Sequence, residues 1–220
     1  MRKVFVPLLV IVGAMLAYSP FMIAAADYES SMGIVSKILY FHAPSGMVML
    51  LSAMVCGVAS AIYLWRKSPG ADRLAIAAAE LTALFGLIVI VTGPMWAKKA
   101  WGIWWDWEPR LTMSFVGWLI SLSYLFVRKY AGPGSDKLGA ALAVFGSVNV
   151  PFIYVSVNIW RTLHPKTTVV PTLPPGMRGP FWFSALTLFL LYLLLLNARL
   201  HLERQRATLD ELYLAEEDRS

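Results

Sequence analysis

From Leu81 to Val127 the chain reads LTALFGLIVIVTGPMWAKKAWGIWWDWEPRLTMSFVGWLISLSYLFV. Two apolar segments flank the stretch Trp101-Gly102-Ile103-Trp104-Trp105-Asp106-Trp107-Glu108-Pro109-Arg110, which holds four tryptophans, two acids and an arginine. An apolar run of ~20 residues crosses a bilayer core as a helix, so the pattern reads span, loop, span. Indole is large, flat and amphipathic, which suits it to a membrane–water interface or to a planar aromatic ligand. The chain has 9 Trp, so nearly half stand in this one loop. An interfacial belt spreads its aromatics over several helix ends, and this concentration suggests a platform.

Working outward, the same span logic applies to the rest of the chain. It is 58% hydrophobic and 15% charged, with a mean hydropathy of +0.62. Soluble domains carry roughly 25% charged residues, so this is an all-α membrane protein. Six spans are predicted, at about residues 4–24, 43–65, 74–95, 111–127, 138–157 and 181–199, each near the ~20 residues a bilayer core requires. Residues 1–200 read as one six-helix transmembrane domain, and 201–220 as a short charged tail forming a helix extension that frays. The N-terminal Met1-Arg2-Lys3 and the apolar run behind it resemble a signal peptide, with Ala24-Ala25-Ala26 as a small-residue site. The run is too long for a typical h-region, and a span is the expectation.

The 220 residues carry a formal charge of +6. In a soluble protein that would suggest nucleic acid; here the positive-inside bias accounts for it, and no nucleic-acid partner is expected. The ends and the two short loops hold Arg2, Lys3, Arg66, Lys67, Arg73, Arg128, Lys129, Lys137, Arg199, Arg204, Arg206 and Arg219. The three longer loops hold Lys37, Lys98, Lys99, Arg110, Arg161, Lys166 and Arg178. The bias places both termini in the cytoplasm and the Trp loop, between helices 3 and 4, on the outer face. Cations retained on the translocated side are candidates for contact with a ligand or partner. The single Cys56 excludes an internal disulfide and any Cys-x-x-Cys motif.

Three histidines remain to be placed. His201 lies beyond the last span and reads as solvated. His42 opens the second span, and His164 follows the fifth. By this topology both lie on the outer face, level with the Trp loop. Imidazole is the usual neutral ligand of haem iron, and two imidazoles from different helices could hold iron from both sides. An interfacial histidine is also commonly just a hydrogen-bonded surface residue, and the sequence leaves open whether the two meet. The Trp loop has two readings as well. Trp101, Trp104 and Trp105 share a face at i, i+3, i+4 if the stretch is a short helix lying on the membrane surface. Pro109 suits the first turn of the fourth span, with Glu108 in the extended position before it. Glu80, inside the third span, is a functional hypothesis by default, but snorkelling to the cytoplasmic face explains it more simply. Asn149 and Pro151 in the fifth span are candidates for kinking that helix and aiming the loop that bears His164.

Trp101-Gly102-x-Trp104-Trp105-x-Trp107-Glu108-x-Arg110-Leu111-Thr112 resembles the WWD signature of the haem-handling membrane proteins of cytochrome c maturation. The Arg-Leu-Thr ending resembles that of the six-span branch, the CcmC (haem exporter protein C) family. Val91-Thr92-Gly93 with Lys98, Tyr40-x-His42-x-Pro44, Asn149-Val150-Pro151 and Trp160-x-Thr162-Leu163-His164 fit the same family, in order, from about residue 38 to 168. The resemblance implies a protein of the bacterial inner membrane that presents haem b at the periplasmic face against the WWD loop. It implies His42 and His164 as axial ligands, and delivery to the periplasmic haem chaperone CcmE. The ABC transporter subunits CcmA and CcmB and the small protein CcmD are the implied partners beside the lipid bilayer, and no catalytic turnover is expected. Three departures stand out. The family usually has Asp where this chain has Glu108, and Asp106 is an extra acid. Pro165 also replaces a more polar residue.

Haem is a flat apolar ring with two anionic propionates. Trp101, Trp104, Trp105 and Trp107 supply an apolar wall. Arg110 and Arg161, each beside a motif, are the favoured propionate partners because arginine offers a planar fork to a carboxylate. Lys98, Lys99 and Arg178 are further candidates, and the lysines serve equally well as lipid-headgroup anchors. Three other readings make different predictions. A transmembrane haem transporter needs a polar path between helices. A cytochrome c haem lyase needs a site for a Cys-x-x-Cys-His apoprotein, and usually a longer chain with more histidines. A structural subunit with an interfacial Trp anchor tolerates loss of both outer histidines.

Overall fold

The computed structural model describes residues 2–166 and 168–217. Arg219, counted in the charge bias, and the last residues of the tail lie outside the described residues. Six helices follow in chain order: α1 (Arg2–Ala25), α2 (Leu39–Arg66), α3 (Pro69–Trp101), α4 (Pro109–Tyr130), α5 (Ser135–Ile159) and α6 (Pro175–Glu217). A short 3₁₀ turn, Ile34–Ile38, leads into α2. All six helices are long and apolar enough to cross a membrane. The predicted spans sit inside them, and the helices run past the spans at both ends. α6 continues unbroken through the charged segment to Glu217.

The helix ends follow local chemistry. Pro69 and Pro109 occupy first turns, where a missing N–H costs nothing. Gly102, at φ 77, takes the left-handed conformation that closes α3, and Lys98 Nζ donates to its carbonyl at 2.9 Å. The i, i+3, i+4 surface helix of Trp101, Trp104 and Trp105 therefore does not form. Trp101 ends α3, and residues 103–108 are non-helical.

α2 lies at the centre, packed along α3, α5 and α6; α4 packs on α5 and α3, and α1 runs along α6. Small side chains let the central helices approach closely, the usual solution where lipid removes the hydrophobic drive between helices. Ala59, Ala75, Ala78, Ala79 and Ala143 are buried together with Cys56 and Tyr124. A Cβ on Gly57 of α2 would fall 2.2 Å from Ser147 Cβ of α5, and one on Gly86 of α3 would fall 2.5 Å from the Trp118 ring of α4. Trp118 Nε1 donates to Ala83 O at 3.0 Å across the same contact.

At the end opposite the Trp stretch, Arg128 of α4 pairs with Asp72 of α3 at 2.5 Å, and Tyr63 of α2 donates to Asp136 of α5. His201 is exposed there, as its position beyond the last span suggested. Glu80 differs from its snorkelling reading: it forms a two-pronged ion pair with Arg199 of α6, which also reaches Glu203 at 2.8 Å. The partner lies 119 residues away in sequence, beyond the reach of any local pattern. Arg199→Ala strands Glu80 beside apolar helices. The side chains are 28% and 32% exposed, so the loss is well below that of a fully buried pair, about 1–2 kcal/mol. A thermal melt in detergent should show the single variant destabilised, and Arg199→Ala/Glu80→Gln restored in part, because Glu203 still lacks its partner.

Candidate functional site

The Trp end of the bundle gathers α2 and α3, the 102–108 segment and the segment after α5. His42 stands in the first turn of α2. Its Nδ1 lies 2.8 Å from Thr92 Oγ1 of α3. The Thr92 hydroxyl in turn donates to Ile88 O at 2.6 Å. A carbonyl only accepts and a hydroxyl has one proton, so Thr92 is left as acceptor and His42 Nδ1 carries the hydrogen. His164, in the segment after α5, has Nδ1 2.9 Å from Pro165 O, and the same argument makes that nitrogen a donor. Both rings are thus held as Nδ1–H tautomers, and among the described residues neither Nε2 has a partner; this is the form in which imidazole binds a metal.

The two rings lie within electrostatic reach of each other, and Arg110 within reach of both. Arg110, in the first turn of α4, donates Nη1 to Ile153 O of α5 at 3.1 Å. Burial, and the Arg110 charge beside it, pushes the His164 imidazole from its usual 6.5 down to about 3. The folded ring stays neutral through mild acid while an unfolded one takes up a proton near 6.5. The unfolded segment therefore binds more protons between 6.5 and 3, and closure of the segment weakens as pH falls through that window. In the haem-free protein, amide exchange at Leu163 and His164, corrected for intrinsic rate, should accelerate from pH 7 to pH 5. His164→Gln should remove the dependence.

Glu108 ties the Trp segment to the His164 segment. It is the residue before Pro109, extended at φ −69, ψ 158, and its side chain does not cap α4. Its Oε2 instead accepts from Thr162 Oγ1 and, at 2.6 Å, from Leu163 N. Thr162 Oγ1 also accepts from His164 N at 3.1 Å. Glu108 is 7% exposed.

The tryptophans divide by role. Trp105 and Trp107 meet edge-on at 5.7 Å, and both contact Phe115, which stacks on Trp118. Trp107 is nevertheless 71% exposed and Trp104 59% exposed; Lys98 sits 6.0 Å over the Trp104 ring. Trp101 is half-buried. Between α4 and α5 a cavity of about 220 Å³ is lined by Trp107, Pro109, Thr112, Met113, Phe152, Ser156 and Trp160. Among the described residues, Trp105 Nε1, Glu108 Oε1 and Thr112 Oγ1 are buried without a hydrogen-bond partner. Three unpaired polar atoms at one end of an apolar bundle call for an explanation. A haem cargo fits the surroundings: two free imidazole nitrogens, exposed indole faces and cations stand together.

Of the cations, Lys98 and Arg178 are committed to the backbone carbonyls of Gly102 and Leu173. Arg161 is exposed and, among the described residues, has no hydrogen bond or ion pair. Asn149 donates to Met113 O at 2.8 Å, clamping α5 to α4. Sequence reasoning on single residues passed over Thr92, Thr162 and Trp160. Their signal was in the quoted runs Val91-Thr92-Gly93 and Trp160-x-Thr162-Leu163-His164.

The fold defines a multi-pass membrane protein with a Trp- and His-bearing end. The sequence profile of the family described as heme exporter protein C, CcmC, matches residues 1–217. The chain belongs to that family. It is 33% identical over 207 residues to heme exporter protein C of Escherichia coli K12, covering 88% of this chain and 82% of that one. It is 32% identical over 203 residues to heme exporter protein C of Paracoccus denitrificans, with 88% and 82% covered. A ccmC-like mitochondrial protein of cytochrome c biosynthesis from Marchantia polymorpha is 31% identical over 156 residues, 71% of this chain and 66% of that one. The two bacterial relatives are named as exporters rather than enzymes, which fits a protein without catalytic turnover.

Proposed function

We propose that this protein binds haem b at its Trp end through His42 and His164, and passes it to the chaperone CcmE at the periplasmic face of the bacterial inner membrane. The observation that carries the reading is the pair of histidines at the Trp end, each held as the Nδ1–H tautomer with no partner on Nε2 among the described residues. Haem iron brings two axial positions for nitrogen donors. His42 and His164 fill them. Trp101, Trp104, Trp105 and Trp107 give the ring an apolar wall. Arg110 and Arg161 face the propionates, and Glu108 holds the two segments in register. The relatives' names support an exporter setting, in which CcmA, CcmB and CcmD complete the assembly. An interfacial anchor alone leaves the paired histidines unexplained.

A photo-crosslinking residue at Trp107, compared with one at Arg66 on the opposite end, tests both recipient and face. In cells expressing CcmE, adducts to CcmE should form from position 107 and not from 66. Adducts from 66 alone would overturn the reading.

A further inference from the structure

His42 is held by a device in α3 that its own helix does not contain. Thr92 Oγ1 sits 2.8 Å from Nδ1 and spends its single proton on Ile88 O, one turn back. Val at this position would have nearly the same shape and no acceptor. The next residue is Gly93, where a Cβ would come within 3.3 Å of His42 Cε1, the ring carbon between the two nitrogens. A side chain there would press on the edge of the ring that leads to Nε2. One residue thus fixes the tautomer and the next leaves room for the ring.

We propose that Thr92 is the positioning residue for His42: by accepting from Nδ1–H it keeps the proton off Nε2 and aims that lone pair into the site. The proposal rests on the haem reading above. An acceptor on Nδ1–H also makes the ring a stronger electron donor, as outer-shell partners of metal-bound histidine do. Thr92 should therefore favour ferric over ferrous iron. His164 has a different support, the carbonyl of the next residue in a segment outside the helices. Thr92 places His42 on two packed helices, which makes it the firmer of the two ligands.

The test uses the full chain in detergent with three variants: Thr92→Val, Thr92→Ser and His42→Ala. In the haem-free chain labelled with 15N-histidine, the His42 ring should show the pure Nδ1–H pattern in wild type and Thr92→Ser. A tautomer mixture should appear in Thr92→Val. With haem added, Thr92→Val should weaken binding about 10-fold to 100-fold, the usual range for an outer-shell partner, and raise the midpoint potential. Thr92→Ser should restore both. A folded Thr92→Val with wild-type tautomer, affinity and potential overturns the proposal. So does a Thr92→Ser that fails as fully as Thr92→Val, since that would mean packing. If His42→Ala keeps wild-type affinity and potential, the haem reading of His42 falls, and the proposal with it. If His42→Ala loses haem while Thr92→Val does not, only the role of Thr92 falls.

Discussion

Glu108→Ala is expected to release haem while leaving the helix bundle assembled. The carboxylate accepts from Thr162 Oγ1 and Leu163 N, and the Thr162 hydroxyl accepts from His164 N. Hydrogen bonds to a charged group contribute roughly 1.5–3 kcal/mol each, and these two are part-buried. Losing both shifts the closed state of the segment by about 3–5 kcal/mol, a factor of 100 or more in the opening equilibrium. The small-residue contacts of α2, α3 and α5 do not involve Glu108, so membrane-inserted protein should persist. Haem bound per chain should fall at least about tenfold, and amide exchange at Leu163 should rise. Glu108→Asp keeps the charge but is a methylene short of the bridge, and should fall between wild type and alanine. Wild-type haem content and exchange in Glu108→Ala would remove the bridge from the account.

Arg110→Leu is the second large effect. One guanidinium nitrogen is engaged by Ile153 O, and the remaining donors and the charge stand beside both histidines. A charge-assisted contact to a propionate contributes about 1.5–3 kcal/mol, so haem affinity should fall about 10-fold to 100-fold. A positive charge near the iron favours the ferrous state, and its removal should lower the midpoint potential. That direction is opposite to the one expected of Thr92→Val, so the two sites can be separated in one titration. Arg110→Lys should recover the potential better than the affinity, because lysine keeps a point charge without the planar fork. An unchanged affinity and potential in Arg110→Leu would place the propionates elsewhere.

The fold was largely legible from the chain because lipid leaves few options for an apolar run of span length. All six predicted spans lie within α1–α6. The site was legible in its residue types and less so in its connections. Composition marked out the Trp stretch, and the resemblance paired His42 with His164. Neither revealed that α3 runs on to Trp101 and stops at Gly102, leaving Trp104 and Trp107 on non-helical chain. In the sequence Glu108 showed only as a departure from the family's usual Asp. The partners of its longer side chain are 54 and 55 residues away, so no local pattern displays them. The same holds for Glu80, read as a snorkelling acid and found instead in an ion pair with Arg199. Thr92 is the sharpest case. A hydroxyl in an apolar helix ordinarily bonds its own backbone, as this one does with Ile88 O. Its second role exists only once α2 is packed beside it.

The most direct measurement of the central claim is the visible absorption spectrum of the purified protein, expressed with its haem supply. Wild type, His42→Ala and His164→Ala are compared at matched protein. Neutral Nε2 donors from both rings predict a low-spin, six-coordinate haem in wild type, and a high-spin or lost haem in each single variant. An unchanged low-spin spectrum in both variants would contradict the account.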